Sequence, residues 1–477
     1  MNEPFVYKIE LDVRGMSCEA CERHVQHALQ SVTGVQSVVV PGWQSGQADV
    51  IATSETNLDE LITAVARAGY TATVRAVNSL SPQSASSLPD ALNPDFDLII
   101  VGGGSAGFAA AIRASELGAS VAIINAGPIG GTCVNVGCVP SKTLIRAVGT
   151  YYQAGRHPFQ GIQTVAGNLN WAQVIAQKEA LVAELRQRKY VDVLKAYPQI
   201  KLIEGQARLG PQHEVYVDGK SLRYRKLILA TGASPWIPPL PGLANTPYLT
   251  STTALSLREL PRSLIVLGAN AVGLELAQMF ARAGTYVTVL EVMPSIAPFE
   301  DEDIRRTLAE YMVEEGLTLI ADFHASEVTY QNGRFTLKGQ QGGRVASFSA
   351  EQLLVATGRR PNTAGLELET VGIKPGERGE IPVNALLQTA HPDIFAAGDV
   401  IGRDMFVYVA AYAGSLAAEN ALTGAGRVYD TTTIPRVTFT DPQIASVGMT
   451  EAQARQAGLD IQTTLLPMQD VPRAFVA

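Results

Sequence analysis

Two cysteines near the middle of the chain have a spacing suited to redox chemistry. Cys133 and Cys138 stand five positions apart in segment 130–142, which reads GGTCVNVGCVPSK. Cys138 precedes a helical pattern, and the exposed N–H groups of a helix start favour a thiolate. Lys142, one turn later, adds a positive charge. Such a pair can alternate between dithiol and disulfide, although two buried structural cysteines would give the same residues.

A second cysteine pair lies near the start of the chain. Cys18 and Cys21 occur in segment 15–21, GMSCEAC, on the loop that enters the first predicted helix. Two thiolates there can hold a soft cation in a nearly linear site. The chain has only these four cysteines, and close pairs in a reducing compartment indicate metal binding or redox work. The alternative is that Cys18 and Cys21 are reduced thiols without a function, on a domain that binds other proteins.

Composition limits the class of protein. The 477 residues are 46% hydrophobic and 17% charged, which is typical of a soluble protein with several domains and large cores. The net charge of -8 argues against a nucleic acid as partner. No stretch has the length of a membrane span, and the start is unlike a signal peptide. We therefore expect a cytoplasmic protein with reduced thiols and no membrane insertion.

The first 77 residues have the pattern of a small α+β unit. Strands are expected at 7–13, 35–40, 48–53 and 71–77, and helices after Cys21 and at 58–68. The order βαββαβ predicts a ferredoxin-like fold. Residues 78–94 are rich in Ser and Pro without periodicity, which predicts a flexible linker.

A first dinucleotide fingerprint follows this linker. Phe96–Val101 is a short apolar strand, and Gly102, Gly104 and Gly107 come directly after it, before a helical pattern. Strand, glycines and helix in this register place a pyrophosphate at the helix N-terminus. The next strand ends at Asn125, where an acid usually binds the ribose, and an amide oxygen can still accept a hydroxyl proton.

A second fingerprint begins after the strand at 264–267. Gly268 and Gly273 hold the outer glycine positions, and Asn270 stands in place of the middle glycine. The paired strand at 286–290 is followed by Glu291. An acid at this position holds the two ribose hydroxyls of NAD and repels the phosphate of NADP.

From about Asp95 onward the chain resembles the flavoprotein disulfide reductases. The resemblance rests on segment 130–142, the Ala-Thr-Gly strand ends at 230–232 and 356–358, and the stretch TAHPDIFAAGD at 389–399. It implies FAD and NAD(P)H as cofactors, Cys138 facing the flavin, and Cys133 exchanging with substrate. It also implies an ion pair between Lys142 and Glu275. Besides the first fingerprint and Asn125, it assigns to the flavin Gly131, Thr132, Lys142, Ala207, Thr231, Gly232, Asp399 and Val407.

Within that family the sequence of residues 130–142 is most similar to that of mercuric reductases. The N-terminal unit resembles heavy-metal-associated domains. This resemblance implies reduction of Hg(II), supplied as thiol complexes, to Hg(0). The metal-binding thiols would be Cys18, Cys21, Cys133 and Cys138. Tyr190, near the end of a single helix predicted over 171–194, would point at the metal site. Mercuric reductases generally use NADPH, which Glu291 disfavours.

These observations predict an α/β chain with two Rossmann-like domains, a ferredoxin-like βαββαβ metal-binding domain and a truncated α+β dimerisation domain. The expected boundaries are 1–77 for the heavy-metal-associated domain, 78–94 for the linker, 95–245 and 364–430 for the FAD-binding domain, 246–363 for the NAD(P)-binding domain and 431–477 for the dimerisation domain. The last segment predicts one strand, one helix and a partial strand, too little for its own core. It resembles a C-terminally shortened copy of a homodimer-forming chain.

Two alternatives to mercury reduction stay open from the sequence. A dihydrolipoamide or glutathione reductase relative would carry a His–Glu pair in the C-terminal domain, and mercuric reductases carry a cysteine pair there. Both places lie beyond Ala477. A non-catalytic metal-binding fragment is the other alternative, and its lack of flavin would distinguish it.

Overall fold

The computed structural model describes residues 6–16, 19–40, 43–53, 56–80, 94–157 and 159–474. The chain divides into two compact units, Met1–Asn93 and Pro94–Ala477, each with hydrophobic core of its own. Among the residues that the structure describes, no helix is long and apolar enough to cross a membrane.

The first unit is a four-stranded sheet with two helices. Its elements are β1 (Val6–Arg14), α1 (Glu19–Gln30), β2 (Val35–Val39), β3 (Gln47–Thr53), α2 (Leu58–Arg67) and β4 (Thr71–Leu80). The strand order is β2-β3-β1-β4, with every pair antiparallel. Alternate residues of β1, namely Ile9, Leu11 and Val13, are buried in the core. The predicted ferredoxin-like fold is confirmed.

The second unit begins with a mostly parallel sheet. Its elements are β5 (Phe96–Val101), α3 (Ser105–Glu116), β6 (Val121–Asn125), α4 (Gly131–Val136), α5 (Cys138–Gly155), α6 (Trp171–Arg186), α7 (Asp192–Leu194), β7 (Ile200–Glu204), β8 (Ala207–Gly210), β9 (Glu214–Val217) and β10 (Lys220–Leu229). Strands β7, β6, β5 and β10 are parallel neighbours, and the antiparallel hairpin of β8 and β9 extends β10. The inner strands are apolar along most of their length because helices cover such sheets.

A two-stranded ribbon connects this sheet to an inserted second dinucleotide domain. The elements are β11 (Ala233–Pro235), α8 (Ser251–Ala254), β12 (Ser263–Leu267), α9 (Ala271–Arg282), β13 (Tyr286–Leu290), α10 (Glu302–Glu314), β14 (Thr318–Ile320), β15 (Phe323–Gln331), β16 (Arg334–Gln341), β17 (Arg344–Ala350), β18 (Gln352–Val355) and β19 (Arg359–Pro361). Strands β14-β13-β12-β18 are parallel, and β15, β16 and β17 form an antiparallel sheet. Strand β11 pairs with β19 where the chain enters and leaves the insertion. Leu243 belongs to the core of this insertion, so that core includes residues ahead of 246.

The chain then returns to the first sheet and ends in a small hairpin. The elements are β20 (Ile394–Ala396), α11 (Val407–Thr423), β21 (Pro435–Thr438), β22 (Ile444–Val447) and α12 (Glu451–Gln456). Strand β20 pairs in parallel with β10. The order of one strand, one helix and a partial strand predicted from residue 431 is wrong. Two short antiparallel strands precede the helix, and residues 459–467 form no strand. The turn residues Asp441 and Pro442 divide what the pattern suggested was one strand.

Candidate active site

The turn after β5 and the first turn of α3 leave room only for glycine at two positions. A Cβ on Gly102 would lie 2.2 Å from the carbonyl oxygen of Ala230, and one on Gly107 would lie 1.9 Å from that of Gly102. Gly104 precedes α3 with no side-chain capping bond. The first N–H groups of α3 therefore stay uncovered, which is the geometry of a pyrophosphate cradle.

Asn125 ends β6 and is tied to the same turn. Its Oδ1 accepts a hydrogen bond from the N–H of Gly103 at 3.0 Å, and its amide donates to the carbonyl of Gly127. The carbonyl of Asn125 accepts from the N–H of Gly205 at 3.1 Å, and Ala207, two residues after Gly205, begins β8. Because Oδ1 has a second lone pair, Asn125 can support the turn and still accept a ribose hydroxyl.

Two successive left-handed glycines bring the dithiol segment onto this cradle. Gly130 and Gly131 have φ values of 99° and 62°. The N–H of Gly130 donates to the carbonyl of Gly103 at 2.8 Å. A Cβ on Gly131 would lie 2.7 Å from the Cα of Gly104. Helix α4, which carries Cys133, therefore starts directly against the cradle.

The two thiols of this segment are joined by a hydrogen bond. Cys133 and Cys138 are half-buried and unlinked by a disulfide. The bond from the Cys133 thiol lowers the pKa of Cys138 from 9.0 to about 7, with help from Lys142 and a backbone N–H and against the effect of burial. The same bond, together with burial, raises the pKa of Cys133. Cys138, the first residue of α5, is thus the more acidic thiol.

A buried carboxylate holds Lys142 in place. The Lys142 Nζ lies 2.6 Å from Oε2 of Glu275 on α9, and the Glu275 side chain is 7% exposed. The other oxygen, Oε1, accepts from the N–H of Phe439 at 2.9 Å. The Phe439 ring centroid is 4.7 Å from the Lys142 Nζ, within the range of a cation–π contact. The structure thus brings Lys142 and Glu275 together and adds Phe439, which sequence reasoning missed.

Helix α9 binds the segment after β21 through one polar face. Glu275, Gln278 and Arg282 lie on one side of α9 because they are three and four positions apart. Gln278 and Asp441 exchange two bonds of 2.8 Å, in which the Asp441 N–H donates to Oε1 and Nε2 donates to the Asp441 carbonyl. Arg282 donates to the Asp441 carboxylate at 2.9 Å and to Glu315 at 2.8 and 2.5 Å. This set of contacts fixes the segment that carries the Lys142 contacts.

The helix predicted over 171–194 is confirmed, because residues 171–194 are helical without a break, but this helix is not uniform. Helix α6 changes to a π-helical turn, Gln187–Val191, before α7. The Tyr190 ring packs edge-on against Phe108, with centroids 4.8 Å apart, and a Cβ on Gly130 would lie 3.0 Å from it. The wider turn re-aims this ring between α3 and the dithiol segment.

The Tyr190 hydroxyl lies close to both the cradle and the thiols. It is hydrogen-bonded to the side chain of Ser105, the first residue of α3. Burial raises the pKa of Tyr190, and negative charge on Cys133 and Cys138 raises it further. Tyr190 therefore lies within electrostatic reach of the dithiol.

Arg359, to which sequence reasoning assigned no role, reaches the site from β19. Its guanidinium donates to Oγ1 of Thr132 at 3.4 Å and to the carbonyl of Ala233. Its Nε lies 3.9 Å from Oδ2 of Asp399. Burial lowers the pKa of Arg359 and raises that of Asp399, and the attraction between the two opposes both shifts. The feature of the sequence that could have indicated this role is the position of Arg359 directly after the second Ala-Thr-Gly strand end.

The remaining predicted flavin residues lie at the ends of β10 and α11. The N–H of Asn362 donates to the carbonyl of Gly232 at 2.9 Å, and its amide donates to that of Thr231 at 2.9 Å. Val407 is the first residue of α11, and Asp399 lies in a 3₁₀ turn, Gly398–Ile401.

The second fingerprint repeats the tight geometry of the first. A Cβ on Gly268 would lie 2.5 Å from the carbonyl oxygen of Ala356, and one on Gly273 would lie 2.0 Å from that of Gly268. Asn270 precedes α9 without a side-chain capping bond. Glu291 follows β13 and is 6% exposed. A second cradle for a dinucleotide therefore lies at the start of α9, apart from the first.

The N-terminal cysteines are only partly described. Cys18 lies outside the described residues, and Cys21 is a half-buried residue of α1. The prediction that Cys21 lies on the loop before this helix is wrong, because α1 already begins at Glu19. Over the described ranges no group of three or more His, Cys, Asp or Glu residues is arranged to hold a metal ion.

Comparison with known proteins identifies the family. The pyridine nucleotide-disulphide oxidoreductase family matches residues 96–414, its dimerisation domain matches 434–477, and the heavy-metal-associated domain matches 10–71. The mercuric reductase of Staphylococcus aureus is 41% identical over 471 residues, which cover 98% of this chain and 84% of that protein. The chain belongs to the mercuric reductase branch of the pyridine nucleotide-disulphide oxidoreductase family.

Other members of the family agree with this placement. The mercuric reductase of Streptomyces lividans is 44% identical over 389 residues, covering 80% of this chain and 81% of that protein. Among solved structures, the HOCl-induced flavoprotein disulfide reductase RclA of Escherichia coli matches with a TM-score of 0.70 and 34% identity. The match covers 80% of this chain and 83% of that structure.

As a member of this family the chain is a FAD-dependent oxidoreductase that uses NAD(P)H. The geometry of the chain fits both cofactors, because each fingerprint leaves an uncovered helix start behind a turn that closes only with glycine. Asn125 ends the strand next to the first fingerprint, and Glu291 directly follows the strand next to the second, where a ribose is bound in such domains.

Proposed function

We propose that this chain is a mercury(II) reductase that transfers two electrons from NAD(P)H to Hg(II) at the Cys133–Cys138 dithiol. The observation that carries the proposal is the pair itself, in which the pKa of Cys138 is lowered to about 7 beside the first dinucleotide cradle. Mercury as substrate is supported by relatives named mercuric reductases that align over 98% of the chain.

The chemistry of the dithiol suits this substrate. Hg(II) is a soft cation that binds thiolate sulfur far more tightly than carboxylate oxygen or imidazole. Cys138 supplies the first thiolate, and Cys133 releases its proton when its sulfur takes the second position. FAD, when bound, supplies a two-electron relay between the nicotinamide and this site. One NAD(P)H and one Hg(II) give NAD(P)⁺, one proton and Hg(0), which balances charge and electrons.

The neighbouring residues serve the thiolates in this proposal. Lys142 keeps Cys138 ionised, and Glu275 positions Lys142 through their 2.6 Å contact. Tyr190 lines the metal site, which is supported by the effect of the thiol charges on its phenol. Arg359 is a further cation of the site, and it interacts electrostatically with the Cys138 thiolate.

The cofactor contacts are also proposals. The residues that would hold FAD are Gly102, Gly104, Gly107, Asn125, Gly131, Thr132, Lys142, Ala207, Thr231, Gly232, Asp399 and Val407. The residues that would hold the nicotinamide dinucleotide are Gly268, Gly273 and Glu291.

The N-terminal unit would collect the metal for this site. Cys18 and Cys21 bind Hg(II), and the linker presents it to the catalytic part at high local concentration. The predicted linker start at residue 78 is wrong, because β4 continues its pairing with β1 to Leu80. A cytoplasmic location keeps all four thiols reduced. The match of residues 434–477 to the dimerisation domain supports a homodimer.

The test is release of mercury vapour by the purified FAD-containing chain, with NADH or NADPH, Hg(II) and excess small thiol. Cys133→Ala and Cys138→Ala should each abolish release of Hg(0) while leaving the flavin bound. Cys21→Ala, which removes a thiol from the other unit, is the matched control and should keep it.

Parallel assays with oxidised glutathione and lipoamide separate the alternatives. Reduction of either disulfide without release of Hg(0) would indicate a disulfide reductase and contradict the proposal. Binding of Hg(II) without any of these reactions would indicate a metal-binding protein and would also contradict it.

A further inference from the structure

The end of β13 carries the charges that choose between the two nicotinamide dinucleotides. We infer that this chain uses NADH, because Glu291, in a segment that contains no cation before Arg305, rejects the 2′-phosphate of NADPH. The inference goes beyond mercury reduction, which either nucleotide could support. It also departs from the NADPH use that the resemblance to mercuric reductases implies.

The Glu291 carboxylate is held in one orientation. Its Oε2 accepts from the N–H of Ala269 at 2.6 Å, and its Oε1 accepts from the N–H of Met293 at 2.9 Å. Ala269 belongs to the turn of the second fingerprint, so the carboxylate lies beside the path of the bound dinucleotide. Each oxygen keeps a lone pair, and a ribose diol can donate to these without displacing either backbone bond.

No cation follows this carboxylate closely in the chain. Residues 291–304 contain five acids and no lysine, arginine or histidine. The acids are Glu291, Glu300, Asp301, Glu302 and Asp303. The segment also folds back on the fingerprint, since the N–H of Ala297 donates to the carbonyl of Ala269 at 2.8 Å. A phosphate dianion on the ribose would therefore meet negative charge where NADPH sites place arginine.

The first cation after this segment is already engaged. Arg305 on α10 donates through Nη1 to Oγ of Ser295 at 2.9 Å. Its Nε is buried without a hydrogen-bond partner in the described structure. The guanidinium thus braces the loop after Glu291, and to reach a phosphate it would have to give up this contact.

Binding of two nicotinamide-free analogues tests the inference without turnover. ADP-ribose and its 2′-phosphate carry the parts by which the nucleotides differ, and calorimetry on the FAD-loaded full chain measures both affinities. We expect ADP-ribose to bind at least roughly tenfold more tightly at low salt. The difference should narrow as salt screens the repulsion.

Two variants that each add an arginine, one near the ribose and one far from it, provide a test and its matched control. Val292, 52% exposed, directly follows Glu291, and Tyr286, 82% exposed, lies at the other end of the strand, roughly 20 Å away. Val292→Arg should strengthen binding of the 2′-phosphate by roughly tenfold and leave ADP-ribose almost unchanged. Tyr286→Arg adds the same charge far from the ribose and should change neither affinity.

Three results would overturn the inference. The first is equal or tighter binding of the 2′-phosphate by the unchanged chain. The second is a selective loss of 2′-phosphate binding in Arg305→Met, which would show that Arg305 leaves Ser295 for the phosphate. The third is binding of neither analogue. All three concern nucleotide binding alone, so failure of the mercury proposal would leave their meaning intact.

Discussion

Replacing Lys142 should make Cys138 a weaker acid, and the chain offers a clean way to measure this. A parent carrying Cys18→Ala, Cys21→Ala and Cys133→Ala keeps Cys138 as its single thiol. Alkylation of this parent by iodoacetamide therefore reports on Cys138 alone. The comparison is between this single-thiol parent and the same chain with Lys142→Met.

The size of the effect follows from the order of the causes. The hydrogen bond from Cys133 is the largest influence that lowers the pKa of Cys138 to about 7, and Lys142 is the next one that lowers it. Removing Cys133 leaves Lys142 as the main source of acidity. Lys142→Met then also leaves the carboxylate of Glu275 uncompensated, and that charge raises the pKa. We expect the pKa to rise by roughly one unit, which means about tenfold less thiolate at any pH below both values.

The assay is the alkylation rate against pH. Because only the thiolate reacts, the rate rises with pH through the pKa, and the Lys142→Met profile should lie at higher pH. At pH 7 the variant should react about tenfold more slowly, and well above both pKa values the rates should converge. Lys195→Met removes a lysine that is 71% exposed and pairs with Asp192, and it should not displace the profile. Coincident profiles for the parent and Lys142→Met would refute the reasoning.

Three further outcomes are expected. Gly131→Ala should lower the unfolding free energy by about 1–3 kcal/mol and weaken FAD retention, because Gly131 has a φ of 62° and a Cβ there has no room. The control Gly149→Ala, at a position of α5 with open space around it, should instead raise the unfolding free energy by about 0.5–1 kcal/mol. Similar urea unfolding curves for the two variants would contradict this prediction. Cys18→Ala with Cys21→Ala should leave turnover of small Hg(II)–thiol complexes nearly intact and slow metal capture when competing thiols are scarce, so loss of all turnover would argue against delivery. Arg282→Met should cost about 2–4 kcal/mol in urea unfolding because it removes the charged partner of the Glu315 carboxylate, whose side chain is only 12% exposed, and a change below about 0.5 kcal/mol would be inconsistent with that.

The parts of this fold that could be predicted are those encoded by short-range patterns. The strands and helices of the first unit follow from alternation, helical spacing and Gly69, within a few residues at each end. The fingerprint turns were predictable because glycine is required where a Cβ would meet a carbonyl oxygen, as at Gly102 and Gly268. The glycine pattern itself spans fewer than ten residues and is visible in the sequence, although the carbonyl oxygens that exclude a Cβ at Gly102 and Gly268 belong to the distant residues Ala230 and Ala356.

Features decided by tertiary packing were not accessible in the same way. The π-helical turn at Tyr190 carries no helix breaker, and its ring is placed by Phe108 and Gly130 from elsewhere in the chain. Arg359 follows an Ala-Thr-Gly strand end, but its approach to Thr132 depends on the pairing of β11 with β19. Helical or strand periodicity contains no information about such contacts.

Phe439 shows why the electrostatics of the thiols could not be derived locally. Lys142 and Glu275 are 133 positions apart, and Phe439 lies a further 164 positions along the chain. A buried carboxylate bonded to Lys142 alone would leave Oε1 unsatisfied, at a cost of about 1–3 kcal/mol, and the Phe439 N–H supplies the missing donor. The same residue places its ring against the ammonium group, so it contacts both members of the ion pair. The position of Lys142, and with it the acidity of Cys138, is therefore set jointly by three distant segments of the chain.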